Sequence, residues 1–201
     1  MKLRMSTTSP YVRKVMIAAY ETGLIDQIEL VPTKAWSPDT DLPKDNPLGK
    51  VPALILDDGR VLFDSPVIVD YLDSLNRGPK LTPASGAEHW EQQRLHALGD
   101  GVLDATVAIR IEQSVRPKEY QWPGWIDRQT AAIVRSLDVL EQDCASWGGR
   151  FGAGQIAVAA ALSYLDFRMA DLDWRAGHPR LAAWAAAQAA RPSMVATEPK
   201  E

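Results

Sequence analysis

The chain has 201 residues, of which 46% are apolar and 24% charged, ordinary values for a globular protein. A soft prior of about 150 residues per domain allows one large domain or two small ones, and that composition with a core of useful size rules out disorder, collagen and coiled coil as descriptions of the whole. With 22 basic against 26 acidic residues the formal net charge is −4, and neither half is basic, which speaks against nucleic-acid binding.

In chain order, Lys2–Met5 reads as a short strand. From Pro10 to Glu21 the apolar Val12, Val15, Met16, Ala19 and Tyr20 recur at helical spacing. Ser9 followed by Pro10 is a cap and a first-turn proline, and Gly23 sits just past the end. Ile28–Val31 reads as a second strand, and a polar stretch from Thr33 to Asp45 carries two prolines and Trp36. Ala53–Leu56 and Val61–Phe63 flank Asp57-Asp58-Gly59-Arg60, where Asp-Gly marks a hairpin turn. Ser65-Pro66 repeats the cap-plus-proline signal and opens a helix to about Leu75.

The order strand, helix, strand, hairpin, helix predicts a small mixed sheet, one pair parallel and one antiparallel. Asn76-Arg77-Gly78-Pro79 breaks the pattern and Leu81-Thr82-Pro83 leads out of it, placing domains at 1–80 and 84–201. The second domain reads as all helical. Its helices are Glu88 to about Gln113, Ile126–Ala145 with a stripe of Ile133, Leu137 and Leu140, Ile156–Arg168 and Pro179–Ala190. Ile156–Arg168 is apolar nearly all round and belongs in the core. Leu181 and Trp184 are the expected anchors of the last helix, and the tail Thr197–Glu201 is expected to fray.

Three local features of the first domain bear on chemistry. Ser9-Pro10-Tyr11 stands at a strand-to-helix turn. Capping alone explains the serine, but a hydroxyl beside a positive helix end also suits an anion such as a thiolate. Gly49-Lys50-Val51-Pro52 precedes a strand. A cis proline there leaves Val51 backbone groups on an edge, where a peptide-like ligand can pair; a plain turn proline is the simpler alternative. Asp64-Ser65-Pro66 opens a helix. Beyond capping, it offers Ser65 N–H and hydroxyl to a carboxylate and Asp64 to an ammonium, the two ends of a free α-amino acid group.

These segments resemble those of the glutathione S-transferase family. Asn46-Pro47-Leu48-Gly49-Lys50-Val51-Pro52-Ala53-Leu54 is similar to its N-P-x-G-x-V-P-x-L segment with a cis proline, and Phe63-Asp64-Ser65-Pro66-Val67-Ile68 to its [DE]-S-x-x-I segment. Ser9-Pro10-Tyr11-Val12-Arg13-Lys14-Val15 falls where the catalytic Ser or Cys turn lies. His178-Pro179-Arg180-Leu181-Ala182-Ala183-Trp184, followed by Arg191-Pro192-Ser193, resembles the family's C-terminal helix. The resemblance implies a thioredoxin-like α/β N-terminal domain and an all-α C-terminal domain. It implies glutathione as co-substrate, with Ser9 on the sulfur, Val51 and Pro52 at the cysteinyl backbone, and Asp64 and Ser65 on the γ-glutamyl end. Lys34, Trp36 or Lys50 is the expected partner of the glycyl carboxylate. Tyr11, Trp36, Leu103, Val107, Trp122 and Trp125 are candidate walls for a small hydrophobic electrophile, and plain packing is the preferred explanation for any one of them. Trp122-Pro123-Gly124-Trp125 reads as an aromatic turn between helices. A homodimer is implied as well.

Two departures from the family pattern stand out. Serine at position 9, where omega-like and glutaredoxin-like relatives have cysteine, excludes thiol–disulfide exchange through a protein thiol there. Gly152-Ala153-Gly154-Gln155 replaces a Ser/Thr-x-x-Asp capping box, a change worth only tenths of a kcal/mol. Cys144 is the single cysteine, so no internal disulfide forms, and it reads as a small core residue. His89, His96 and His178 are scattered without metal-ligand spacing, so no metal is expected. No secretory h-region and no run of the ~20 apolar residues of a membrane span is evident, and a cytoplasmic protein is the expectation. The alternatives to a transferase are a non-catalytic interaction scaffold, or a glutathione-dependent peroxidase, isomerase or dehalogenase on the same fold.

Overall fold

The computed structural model describes residues 1–200. Strand β1 (Lys2–Met5) leads through a short turn into helix α1 (Pro10–Glu21). Residues Val12 to Ala19 are all buried, and Gly23 closes α1 at φ +69, a conformation glycine adopts without a Cβ penalty. β2 (Glu29–Pro32) lies parallel to β1, with Leu3 opposite Leu30. β3 (Ala53–Ile55) runs antiparallel to β1 and pairs with β4 (Val61–Leu62), giving the order β2-β1-β3-β4. Both hairpin strands are one residue shorter than expected, and the Leu56 N–H donates to the Arg60 carbonyl at 2.8 Å where the loop closes.

Helix α2 (Ser65–Leu75) packs against α1. Its cap is Asp64, not Ser65. The Asp64 backbone is extended and its carboxylate accepts the Ser65 N–H, while Ser65 is the first helical residue and is buried. The chain then stays fastened to the end of α2. Buried Asp73 accepts Leu81 N–H at 2.8 Å and Thr82 N–H at 3.0 Å, and Lys80 Nζ donates to the carbonyls of Asp73 at 2.5 Å and Asn76 at 2.8 Å.

The remaining helices are α3 (Ala87–Ser114), α4 (Pro123–Asp143), α5 (Ala153–Arg168), α6 (Trp174–Gly177) and α7 (Pro179–Ala189). Residues Ala153 to Leu162 of α5 are buried throughout, as its all-round apolar sequence requires. Gly152 N–H donates to Gln155 Oε1 at 3.0 Å, so the glycine cap keeps one half of a capping box. Ile133, Leu137 and Leu140 form the buried stripe of α4. The 122–125 segment is a helix start and not a free turn: Trp122 caps α4 and Pro123 is its first residue. Cys144 is buried and donates to the Glu141 carbonyl at 3.4 Å. Leu181 is fully buried, and Trp184 meets Trp147 edge-on at 4.7 Å.

A last helix, α8 (Pro192–Ala196), is too short to leave a periodic signal. It packs on α1, and Thr197, expected to fray, is held by a 2.8 Å bond to the Ser193 carbonyl. Two compact units result. One comprises 1–92 together with the segment from Arg191 onward, the other Gln93–Ala190, and the chain passes between them within α3. The expected break at 81–83 thus lies inside the first unit, where Asp73 holds it, and the C-terminal segment returns to that unit.

Candidate functional site

Topology gathers the predicted residues of the first unit. β3 runs against β1, and β4 against β3, so the end of β1, the start of β3 and the end of β4 share one end of the sheet. β2, parallel to β1, leaves at that end too. The three connections there carry Ser9, then Lys34 and Trp36 with Lys50, Val51 and Pro52, then Asp64 and Ser65.

Ser9 has extended backbone, and its Oγ accepts Val12 N–H at 3.3 Å. Its own O–H remains able to donate, since a hydroxyl both accepts and donates. The Val51–Pro52 peptide is cis, and β3 starts only at Ala53, so the Val51 backbone lies just outside the ladder. Asn46, buried to 2% exposure, sets this segment: its Nδ2 donates to the Lys50 carbonyl at 2.8 Å and its Oδ1 accepts Leu48 N–H at 3.0 Å. Gly49 makes the turn between them at φ +63. Arg4 on β1 holds the preceding loop, with Nε 2.7 Å from Asp45 and Nη2 2.9 Å from Asp41. The hydrogen bond to Arg4 holds the Asp41 carboxyl below its ordinary pKa.

Asp64 is exposed and spends one oxygen on Ser65 N–H; the Phe63–Asp64 peptide is also cis. Ser65 is 0% exposed and its Oγ, buried beneath the surface, has no hydrogen-bond partner. The arrangement thus differs in one respect from the sequence expectation: the Ser65 N–H is already occupied by Asp64. Lys34, Trp36 and Lys50 are exposed on their loops. Tyr11 is half-buried in the first turn of α1. In the second unit Leu103 is fully buried, Val107 and Trp125 are half-buried and Trp122 is exposed. Leu103 therefore has no free surface to offer a ligand.

A family model of the glutathione S-transferase N-terminal domain matches residues 8–75, and one of the C-terminal domain matches 123–187. The chain belongs to the glutathione S-transferase family. It is 35% identical to the uncharacterized GST-like protein YibF of Escherichia coli K12, over 99% of this chain and 98% of that one. It is 33% identical to glutathione S-transferase 2 of Saccharomyces cerevisiae, over 77% of this chain and 72% of that one. Among solved structures it is similar to a glutathione transferase family member from Pseudomonas fluorescens Pf-5 with bound glutathione (TM-score 0.95, 46% identity, 100% of this chain and 99% of that one). A glutathione S-transferase from Methylobacillus flagellatus KT with glutathione bound gives a TM-score of 0.93 at 37% identity, covering 99% of each chain. The thioredoxin-like first unit and helical second unit are the architecture of this family.

In this family member the supporting residues were the ones sequence reasoning missed. Asn46 carried a signal, since Asn before Pro in a polar stretch marks an Asx-type turn. Glu112 carried half of one: it is buried on α3 and accepts Arg116 Nε at 2.8 Å, a pair at readable i,i+4 spacing, but also Trp122 N–H at 2.7 Å, which periodicity does not report. Among the described residues no cluster of three or more His, Cys, Asp or Glu side chains is placed to hold a metal, and no helix is long and apolar enough to cross a membrane.

Proposed function

We propose that the chain binds glutathione at this end of its sheet and activates the thiol as a thiolate for attack on a small hydrophobic electrophile. The observation that carries the reading is the convergence of a helix-capping hydroxyl, a peptide backbone outside the ladder, and an exposed carboxylate beside a buried, unpartnered hydroxyl. In this reading Ser9 O–H donates to the sulfur, and Val51 pairs with the cysteinyl backbone as an added strand. Asp64 takes the γ-glutamyl ammonium on its second oxygen, while Ser65, 0% exposed, reaches the neighbouring carboxylate only on a local shift of the helix start. Lys34 and Lys50 are the exposed cations for the glycyl carboxylate, with Trp36 beside them. In the first unit Tyr11 and Trp36 keep exposed surface for the electrophile. Solved relatives that hold glutathione support the ligand.

The energetics are modest. An ordinary thiol of pKa about 8.5 is only about 3% thiolate at pH 7, and a shift of about 2 units, worth about 2.7 kcal/mol, raises that to about 75%. One charge-assisted hydrogen bond supplies about 1.5–3 kcal/mol of this and the helix end up to about 1 kcal/mol. No protein cysteine or metal is required.

Calorimetric titration with reduced glutathione tests the reading. Saturable one-to-one binding that weakens in Asp64→Ala is the expected result, followed by turnover in a panel of electrophiles and peroxides. No binding at millimolar glutathione sinks it. The expected homodimer belongs to the same proposal and is read by sedimentation of the purified protein.

A further inference from the structure

The C-terminal segment of the first unit grips α1 at both ends. At the far end, Glu21 receives a two-pronged contact from Arg191, Nε to Oε1 at 3.0 Å and Nη2 to Oε2 at 2.6 Å. Ser193 Oγ adds a third bond to Glu21 Oε1 at 2.5 Å. Near the start, Arg13 Nη2 donates to the Met194 carbonyl at 3.2 Å and Arg13 Nε to Thr197 Oγ1 at 3.4 Å. The backbone N–H of the same Arg13 donates to the Ser9 carbonyl at 3.0 Å. One residue therefore connects the segment directly to the cap of α1.

The polar grip supplies something that apolar packing does not. Val12 through Ala19 are buried without a gap, the charged Arg13 and Lys14 among six apolar residues. The transfer term of that burial is non-directional and scales with area, and close packing holds the helix in place without itself naming which groups set its fine rotation. Hydrogen bonds are directional, and two sets of them some two turns apart fix the rotation. A rotation of about 15° moves a side-chain oxygen lying roughly 4 Å from the axis by about 1 Å. A misplacement of that size at a reacting group can cost on the order of 100-fold in rate.

We propose that the segment 191–197 sets the rotation of α1 and thereby aims the Ser9 hydroxyl, with Glu21, Arg191, Ser193 and Arg13 acting as positioning residues. The proposal rests on the reading of Ser9 as the donor to the glutathione sulfur. The pairing also bears on the charge of Glu21: burial raises its pKa, but the bonds from Arg191 and Ser193 outweigh it and hold the carboxyl below its ordinary value.

The test compares wild type, Arg191→Ala, the exchanged pair Glu21→Arg with Arg191→Glu, and Ser9→Ala. The pKa of bound glutathione is read from thiolate ultraviolet absorbance, and kcat and KM with whichever electrophile the wild type turns over. Arg191→Ala is expected to bind glutathione within about twofold of wild type, raise the bound-thiol pKa by about half a unit or more, and lower kcat about tenfold at constant KM. The exchanged pair is expected to recover part of both. A folded Arg191→Ala protein with the wild-type thiol pKa and kcat overturns the proposal and leaves the segment a structural strap. If Arg191→Ala does not fold, Arg191→Lys, which keeps one bond and loses the fork, must show the same shift in smaller degree, and a wild-type pKa there is equally fatal. Failure of the underlying reading shows separately: Ser9→Ala then keeps the wild-type thiol pKa, or the wild type binds no glutathione, and the positioning role falls with it.

Discussion

Asn46 Nδ2 donates to the Lys50 carbonyl at 2.8 Å, one residue ahead of the Val51–Pro52 peptide. The same side chain accepts Leu48 N–H at 3.0 Å, so one buried amide closes the whole turn that delivers Val51 to the sheet end. Replacing it by alanine strips partners from both backbone groups, a loss of about 1–3 kcal/mol. Asn46→Ala is expected to lower the melting temperature and to weaken glutathione binding more than Lys50→Ala does. Asn46→Asp keeps the acceptor for Leu48 N–H but loses the donor to Lys50, and is expected to fall between. Calorimetric titration of the three variants checks the order.

Ser9 is both a cap and the proposed thiol donor, and pH separates the two roles. Loss of the cap costs about 1 kcal/mol of stability at any pH. Loss of a 2-unit depression of the thiol pKa cuts the thiolate fraction at pH 7 about 25-fold. Ser9→Ala is therefore expected to lose on the order of 10- to 30-fold in kcat/KM at pH 7, with the deficit shrinking as pH rises past the free-thiol range. A deficit that stays constant across that range means the hydroxyl acts in some other way.

Much of this was legible in the sequence because the signals are local. Ser9-Pro10 and Gly23 bracket α1, Asp-Gly marks the hairpin, and the apolar run 156–162 marks the central helix of the second unit. What stayed hidden is long-range and polar. Glu21 and Arg191 lie 170 positions apart, and nothing in the periodicity of either segment says that they meet. The same holds for Asp73, whose bonds to Leu81 and Thr82 keep the expected linker inside the first unit. The Asp64-Ser65 cap was displaced by one residue because both side chains are good caps, and only the burial of Ser65 decides between them. The sheet-end cluster needed topology as well as motifs, since it is strand direction that brings three loops together.

Gly99 and Gly101 lie on the same helix and predict opposite outcomes. A Cβ at Gly99 would stand 2.7 Å from the Ala157 carbonyl carbon and 2.9 Å from Val158 N, both backbone atoms of α5, whereas one at Gly101 meets nothing within 4 Å. Alanine gains up to about 1 kcal/mol over glycine inside a helix. At Gly101 that gain stands alone, so Gly101→Ala is expected to be neutral or stabilising. At Gly99 overpacking of about 1–3 kcal/mol opposes and exceeds it, so Gly99→Ala is expected to be net destabilising. Urea denaturation of the two variants side by side decides the matter.

Glu112 fastens the connection between α3 and α4. Its Oε1 accepts Trp122 N–H at 2.7 Å and its Oε2 accepts Arg116 Nε at 2.8 Å. The bond from Trp122, together with Arg116, holds the Glu112 carboxyl below its ordinary pKa. Glu112→Ala is expected to make residues 115–122 more sensitive to limited proteolysis and to change the emission of the exposed Trp122. Wild-type cleavage kinetics in the variant would show that the loop is held by something else.

The Glu21–Arg191 pair makes a pH-dependent contribution whose sign follows from its geometry. Burial pushes the Glu21 carboxyl up, but hydrogen bonds from Arg191 and Ser193 and the Arg191 charge prevail, leaving it below the ordinary value of 4.5. A carboxyl depressed on folding binds fewer protons in the native than in the unfolded state. Its stabilisation is therefore fully present above the unfolded value and is lost as pH falls through the lower, native one. Glu21→Gln removes the charge at every pH. The stability difference between wild type and Glu21→Gln is expected to be constant from neutral pH down to about pH 5 and to shrink below the ordinary carboxyl range. Urea melts of both proteins from pH 7 to pH 3.5 measure it, about twofold steps in proton activity being fine enough to follow the decline. A difference that grows on acidification reverses the sign and shows that Glu21 is not held ionised by Arg191.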